Sequence, residues 1–238
     1  GIGFACARRL ATMGLKIAIS DHDGKAALRA AGELGPAHIG LSCDVTQEDE
    51  VEACVERVER ELGPVAVLCN IAGIFPIPPD GPPRIVTATT DEWDRTFAVN
   101  AKGTFLMCRA VMRRRLDKPV ADGRMINISS SAAQLGGYNG SSAYAASKGA
   151  VLSFTKVAAR EAAPMGMTVN CLAPGAVDTP LLRTGLPRKR DAAYIEKIPV
   201  GRIGMVEDIA GAVAYLVSKE AGYVTGACLD INGGIRMQ

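Results

Sequence analysis

Apolar and polar positions change period repeatedly along the chain, and each change marks an element. Residues 16–20 are short and rich in Ile, and read as a strand. An Ala-rich segment over 25–34 follows with helical spacing, then a second short strand over 37–41 that leads into Asp44. Residues 48–62 place Val51, Cys54, Val55, Val58 and Leu62 on one helical face, and Gly63-Pro64 stops that helix just before an apolar strand over 65–69. The Pro- and Gly-rich stretch 74–84 predicts a loop, after which Thr90-Asp91-Glu92 caps a long helix running to about Arg115, with Asn100 in its middle. A strand over 124–129, a helix over 142–163, a strand over 167–172 closed by Ala173-Pro174-Gly175, a helix over 208–217 and a strand over 227–231 complete the series.

Short β-branched strands alternating with helices predict an α/β fold: a doubly wound parallel sheet covered on both faces, a Rossmann-type three-layer arrangement. The 238 residues, 48% of them hydrophobic, suffice for one such core, and no composition shift divides them, so residues 1–238 are expected to form a single dinucleotide-binding domain. In such sheets ligands lie beyond the carboxyl ends of the strands. That directs attention to Asp21, Asp44, residues 70–73, 129–131 and 174–179.

Composition narrows the chemistry. A net charge of +2 supplies no strong field for nucleic acid or an anionic membrane, and neither is expected as a partner. Seven scattered cysteines without a Cys-x-x-Cys pair read as core residues of a protein in the reducing cytoplasm. His22 and His38 are the only imidazoles, so neither a clustered His metal site nor a His-based triad is expected. No apolar run approaches the roughly 20 residues needed to span a bilayer.

Gly1-Ile2-Gly3 opens a helix backed by Phe4, Ala5, Ala7 and Leu10, as the end of a glycine-rich dinucleotide turn would; alone, an ordinary Gly-started helix accounts for it equally well. Asp21 ends the first strand roughly 20 residues beyond those glycines. A carboxylate there accepts both ribose hydroxyls of NAD and repels the extra phosphate of NADP. The competing reading, a surface turn acid in Asp21-His22-Asp23-Gly24, explains Asp23 better than Asp21. Lys25 is the nearest cation that would favour NADP. Tyr144 and Lys148 share one helical face. A phenol near pKa 10 is a poor base, and a neighbouring ammonium together with a positively charged oxidised nicotinamide would stabilise its phenolate. Taken alone, such a pair is more often two snorkelling surface groups. Upstream, the strand over 124–128 delivers Ser129, Ser130 and Ser131 to the same sheet edge.

Together these motifs make the chain resemble a classical short-chain dehydrogenase/reductase (SDR) over essentially its whole length. Gly1-Ile2-Gly3 resembles the end of the family's Thr-Gly-x-x-x-Gly-x-Gly turn, and Cys43-Asp44-Val45 the segment whose Asp meets the adenine. Asn70-Ile71-Ala72-Gly73 stands for Asn-Asn-Ala-Gly, and Tyr144 to Lys148 for Tyr-x-x-x-Lys. The segment from Pro174 and Gly175 through Val177 to Thr179 stands for the one that grips the nicotinamide carboxamide. The resemblance implies a tetrad of Asn100, Ser130, Tyr144 and Lys148, with Tyr144 and Lys148 also touching cofactor. In it, Asn100 opens its helix and holds a water beside Lys148. Strand alignment selects Ser130, whereas the commonest family spacing selects Ser131; Ser130 is preferred here, with one extra residue in the loop 136–140.

Two departures matter. Ile71 replaces the motif's second Asn. The family's first strand and first glycine do not precede Gly1, so the natural chain is expected to carry roughly a dozen more N-terminal residues, a strand and a tight turn.

The substrate side is expected from the loop 74–84, residues near Gln134 to Tyr138, and a substrate loop over about 181–200, all mostly apolar. Arg183, Arg188, Lys189 and Arg190 suit an anionic carrier such as a phosphopantetheine thioester, although a charge run is more often a solvated face. The helix over 142–163 is apolar almost all round, so one face is free for a second subunit, and a homo-oligomer, tetramer or dimer, is expected. The leading expectation is NAD-dependent hydride transfer between cofactor and a small-molecule secondary alcohol or ketone, a polyol or hydroxyacyl compound. An NADPH-dependent 3-oxoacyl-thioester reductase is the nearer alternative, suggested by Ile198-Pro199-Val200-Gly201-Arg202 and by Asp230 to Gly234. A non-catalytic dinucleotide-sensing protein is the alternative of another class.

Overall fold

Where an acidic first turn meets a Gly-Pro stop, the helix takes the expected bounds: α3 spans Glu48–Leu62, buries Val51, Cys54 and Val55, and ends at Gly63 with φ of 95°. The computed structural model describes residues 1–77, 81, 84–136 and 141–237. Ahead of α3 lie α1 (Ile2–Ala11), β1 (Ala18–Asp21), α2 (Gly24–Leu34) and β2 (Ile39–Ser42); after it come β3 (Val67–Asn70), α4 (Thr90–Phe97) and α5 (Gly103–Asp117). The remainder is β4 (Gly123–Ile128), α6 (Ala132–Leu135), α7 (Ser142–Ala162), β5 (Met167–Pro174), α8 (Pro180–Gly185), α9 (Asp191–Ile195), α10 (Val206–Val217) and β6 (Cys228–Ile231).

All strand pairs are parallel. β3-β4-β5-β6 form one sheet and β1-β2 a second, with Asp21 opposite Ser42 at the carboxyl end. Every residue of β4 is buried, as a strand covered on both faces requires. Its side chains alternate between two apolar clusters. Met125 packs with Val51 of α3, Val111 of α5 and Ala158 of α7 on one face, while Ile126 and Ile128 pack with Leu10 of α1 and Val213 of α10 on the other. This is a single-domain, doubly wound Rossmann-type fold. Ile17 and Ile19 share the second cluster with Val67 and Cys69, so side-chain packing joins the two sheets.

Three local features refine the expected helices and loops, the second of them agreeing with the opened helix that the family resemblance implies at Asn100. The cap of α4 is Thr89, not Thr90: its hydroxyl accepts from the Glu92 amide at 3.1 Å, and the Glu92 carboxylate accepts from the Thr89 amide at 3.3 Å. Only a residue three before Glu92 can make that reciprocal pair. The long helix is interrupted by a π-helical turn at Ala98–Lys102 between α4 and α5. Finally, the substrate segment is not an open loop, since it folds into α8, a 3-10 turn and α9.

Candidate active site

The end of β4 delivers three serines that take different partners. The Ser129 hydroxyl donates to the Lys148 carbonyl at 2.8 Å, and the Ser131 amide donates to the Pro174 carbonyl at 2.9 Å. The Ser130 hydroxyl accepts from the Ala132 amide at 3.1 Å and is the hydrogen-bond partner of the Tyr144 phenol. Ser141 caps α7, its hydroxyl accepting from the Tyr144 amide at 3.1 Å, and so fixes where the first turn of that helix presents Tyr144.

One turn later Lys148 is buried, and its Nζ donates to the Ile128 carbonyl at 2.8 Å. Burial pulls its ammonium down to about 8. The Tyr144 phenol is pushed up by burial, and the hydrogen bond from Ser130 offsets only part of that. Lys148 by itself does not bring the phenol below its ordinary value. Desolvation penalises both charged forms, and the Lys148 ammonium is directed at a backbone carbonyl.

Asn100 occupies the π-helical turn, where one extra residue widens the helix and frees a side chain to turn inward. Its Oδ1 accepts from the Ile74 amide at 2.8 Å, and its Nδ2 donates to the Ile74 carbonyl at 3.0 Å and to Ser147 Oγ at 3.1 Å. Asn100 therefore pins the segment that follows Gly73. A Cβ on Gly73 would lie 3.2 Å from Asn100 Oδ1 and 3.3 Å from Lys148 Nζ, so the glycine is what lets backbone pass between them.

A cavity of about 210 Å³ opens onto Tyr144 and Lys148. Of the expected residues, Ile2, Gly73, Ser130, Ser131, Pro174, Gly175, Val177 and Thr179 line it as well. Gly175 leaves no room for a side chain, since its Cβ would sit 2.9 Å from the Asn232 Cα. Thr179 caps α8, its Oγ1 accepting from the Leu182 amide at 3.1 Å.

The other expected residues lie outside this cavity. Asp21, at the end of β1, accepts from the Asp23 amide at 2.9 Å and pairs with His22, with its side chain 49% exposed. Asp44 accepts from the amide and hydroxyl of Thr46, bonds that lower its carboxyl below the usual range. Val45 packs on Gly103, where a Cβ would meet Val45 Cγ2 at 2.6 Å. Asn70 turns inward, its amide donating to Asn127 Oδ1 at 2.9 Å, so it ties β3 to β4; Ala72 is exposed beside it. Gly1 and Gly3 flank the start of α1, with Gly3 facing Ile71. A carboxylate at one strand end, a helix N-terminus, and close-approach glycines beside a cavity fit a dinucleotide.

Several residues escaped sequence reasoning. The Phe75 ring lies 4.6 Å from that of Tyr144 at 56°, and Ser147 and Asn127 complete the buried network. Two members of the basic cluster pair within the protein. Arg183 donates to Asp178 at 2.8 Å and to Asp191 at 2.6 Å, and Arg188 pairs with Asp178 at 3.3 Å. Sequence spacing could have suggested these pairs, since both carboxylates lie close in the chain. Tyr138, the loop residues 137–140, and residues 78–80, 82 and 83 of the Pro-rich loop lie outside the described residues. Among the described residues no helix is long and apolar enough to cross a membrane.

Comparison with known proteins agrees with this geometry. A family model described as enoyl-(acyl carrier protein) reductase matches residues 1–236. The chain is 37% identical over 234 residues to a Xanthobacter autotrophicus protein named inactive 2-(S)-hydroxypropyl-CoM dehydrogenase 2, covering 96% of this chain and 98% of that one. It is 35% identical over 237 residues to the 3-oxoacyl-[acyl-carrier-protein] reductase of Escherichia coli, covering 100% of this chain and 93% of the relative. The crystal structure of a Brucella melitensis 3-ketoacyl-(acyl-carrier-protein) reductase complexed with NADH superposes with a TM-score of 0.90 at 34% identity, covering 100% of this chain and 94% of that one.

Proposed function

The chain belongs to the short-chain dehydrogenase/reductase family, oxidoreductases acting on CH–OH groups, and from that premise we propose that it moves hydride between NAD and a secondary alcohol or its ketone. The observation that carries the proposal is the Ser130–Tyr144 hydroxyl pair beside buried Lys148 at one end of the cavity. In oxidation the substrate hydroxyl gives its proton to the Tyr144 phenolate as the carbinol hydrogen leaves as hydride; in reduction the protonated Tyr144 returns that proton to the carbonyl oxygen. NAD supplies the hydride acceptor when bound. Ser130 holds the reacting oxygen, and Lys148 and Asn100 position the phenol and the turn after Gly73. Because burial raises the phenol, the resting protein holds the proton on Tyr144, the form needed for reduction.

NAD is preferred over NADP because Asp21 stands where the ribose hydroxyls would bind, and a carboxylate there repels a phosphate. Gly1, Ile2 and Gly3 would face the pyrophosphate and Asp44 and Val45 the adenine. Asn70, Ala72 and Gly73 would line the ribose path, and Pro174, Gly175, Val177 and Thr179 the nicotinamide. Nicotinamide absorbance followed with NAD and NADP separately, across secondary alcohols and hydroxyacyl thioesters, tests this; turnover with NADP alone overturns it. The second reading, a 3-oxoacyl-thioester reductase, draws on the name of the Escherichia coli relative. Asp21 argues against its NADPH cofactor, and the pairing of Arg183 with Asp178 and Asp191 takes that guanidinium from an anionic carrier.

We also propose a homo-oligomer in a reducing cytoplasm. Exposed Phe105 of α5 and Val157 of α7 offer an apolar face for a second copy, and all seven cysteines are free.

A further inference from the structure

We propose that the substrate carries a hydrocarbon substituent, aryl or alkyl, on its carbinol carbon, and that Phe75 and Leu182 select it; the proposal rests on the oxidoreductase reading above. Among the described residues that line the cavity, the polar ones are Ser129, Ser130, Ser131, Tyr144 and Lys148 around the reacting hydroxyls, together with Thr179 and Tyr194. Its apolar wall includes Phe75, Leu135, Leu181, Leu182, Leu186 and Ile235.

Among the described residues of that wall, the polar side chains are already engaged. Thr179 Oγ1 donates to the Val177 carbonyl at 3.2 Å while accepting from the Leu182 amide, and Tyr194 has its own interaction within the protein. Arg183, the charged group of α8, is held by Asp178 and Asp191. A polyol placed here would bury its further hydroxyls against carbon, losing their water without regaining a partner. A hydrocarbon group would instead exchange water for the leucines.

The wall is set close to the reacting phenol. Phe75 stands against Tyr144, and α8 closes on the same loop: a Cβ on Gly185 would lie 2.2 Å from Ile77 Cδ1 and 3.2 Å from Phe75 Cε1. The apolar surface therefore begins against the ring that carries the proton-exchanging hydroxyl, which favours a hydrocarbon group close to the carbinol carbon.

The test compares acetophenone with erythrulose as ketones at saturating NADH, by steady-state turnover and by calorimetric binding to the NADH complex. The expected result is a kcat/KM for acetophenone about a hundredfold above that for erythrulose, the discrimination an apolar pocket achieves against an added hydroxyl. Leu182→Asn should lower kcat/KM for acetophenone at least about tenfold and leave the KM for NADH in place. Erythrulose turned over as well as acetophenone by the unmodified protein overturns the substrate class and leaves the oxidoreductase reading standing. Acetophenone bound to the NADH complex but never reduced supports the pocket preference and overturns the reaction. Neither bound nor reduced while NADH binds, it overturns the hydrocarbon preference and leaves the oxidoreductase reading to the alcohol and thioester panel.

Discussion

Lys148→Met should make the protein more stable at neutral pH while abolishing turnover. Lys148 is 4% exposed, and burial pulls its pKa from 10.5 to about 8. That drop corresponds to about 3 kcal/mol of folding free energy spent on keeping the ammonium charged inside the protein. Methionine has similar length and no charge, so the cost disappears. The Ile128 carbonyl loses its donor, which returns about 1 kcal/mol. The net gain of about 2 kcal/mol should raise Tm by about 4–8 °C in a chain of this size. Below pH 8 the amine is charged in folded and unfolded chains alike, and the wild type bears the full penalty. Between pH 8 and 10.5 the folded amine is neutral while the unfolded one still binds a proton, so wild-type stability rises with pH and the variant's advantage shrinks. Thermal melts by circular dichroism at pH 7 and pH 10 measure both effects. A variant that melts below the wild type at pH 7, or keeps an unchanged advantage at pH 10, refutes the reasoning.

Two further substitutions probe the site from other sides. Gly73→Ala inserts a methyl group between Asn100 and Lys148; overpacking of about 1–3 kcal/mol at that point should lower kcat by about ten- to a hundredfold with the circular dichroism spectrum intact. An unchanged kcat would show that the close approach is incidental. Asp21→Ala removes charge-assisted hydrogen bonds worth about 1.5–3 kcal/mol, so the calorimetric Kd for NAD should rise at least about tenfold and the preference over NADP should narrow. Unaltered NAD affinity would reduce Asp21 to a turn residue bonded to Asp23 and His22.

What could be read from sequence was what depends on near neighbours. Val51, Cys54 and Val55 announce the buried face of α3, and Asp21 is found by sitting at the end of β1. Tyr144 and Lys148 are marked by their helical spacing and by the serines of the preceding strand end. Asn100 is different: nothing in its local pattern specifies a π-helical turn, and only family resemblance pointed to it. Phe75 lies in a Pro-rich stretch without periodicity, and its contact with Tyr144 exists only once α7 and the β3 loop meet. The upward push of burial on the Tyr144 phenol is hidden from the sequence for a related reason. A motif records that a lysine is near but not how completely both groups are buried, and burial is the larger effect here.

The measurement that tests the account most directly is Tyr144→Phe, which removes one oxygen and keeps the ring against Phe75. NADH formation from 1-phenylethanol should fall by about 10²–10⁴-fold, the usual contribution of a positioned acid/base, while calorimetric NAD binding stays at the wild-type level. Turnover within tenfold of wild type, with NAD still bound, would contradict the assignment of the proton to Tyr144.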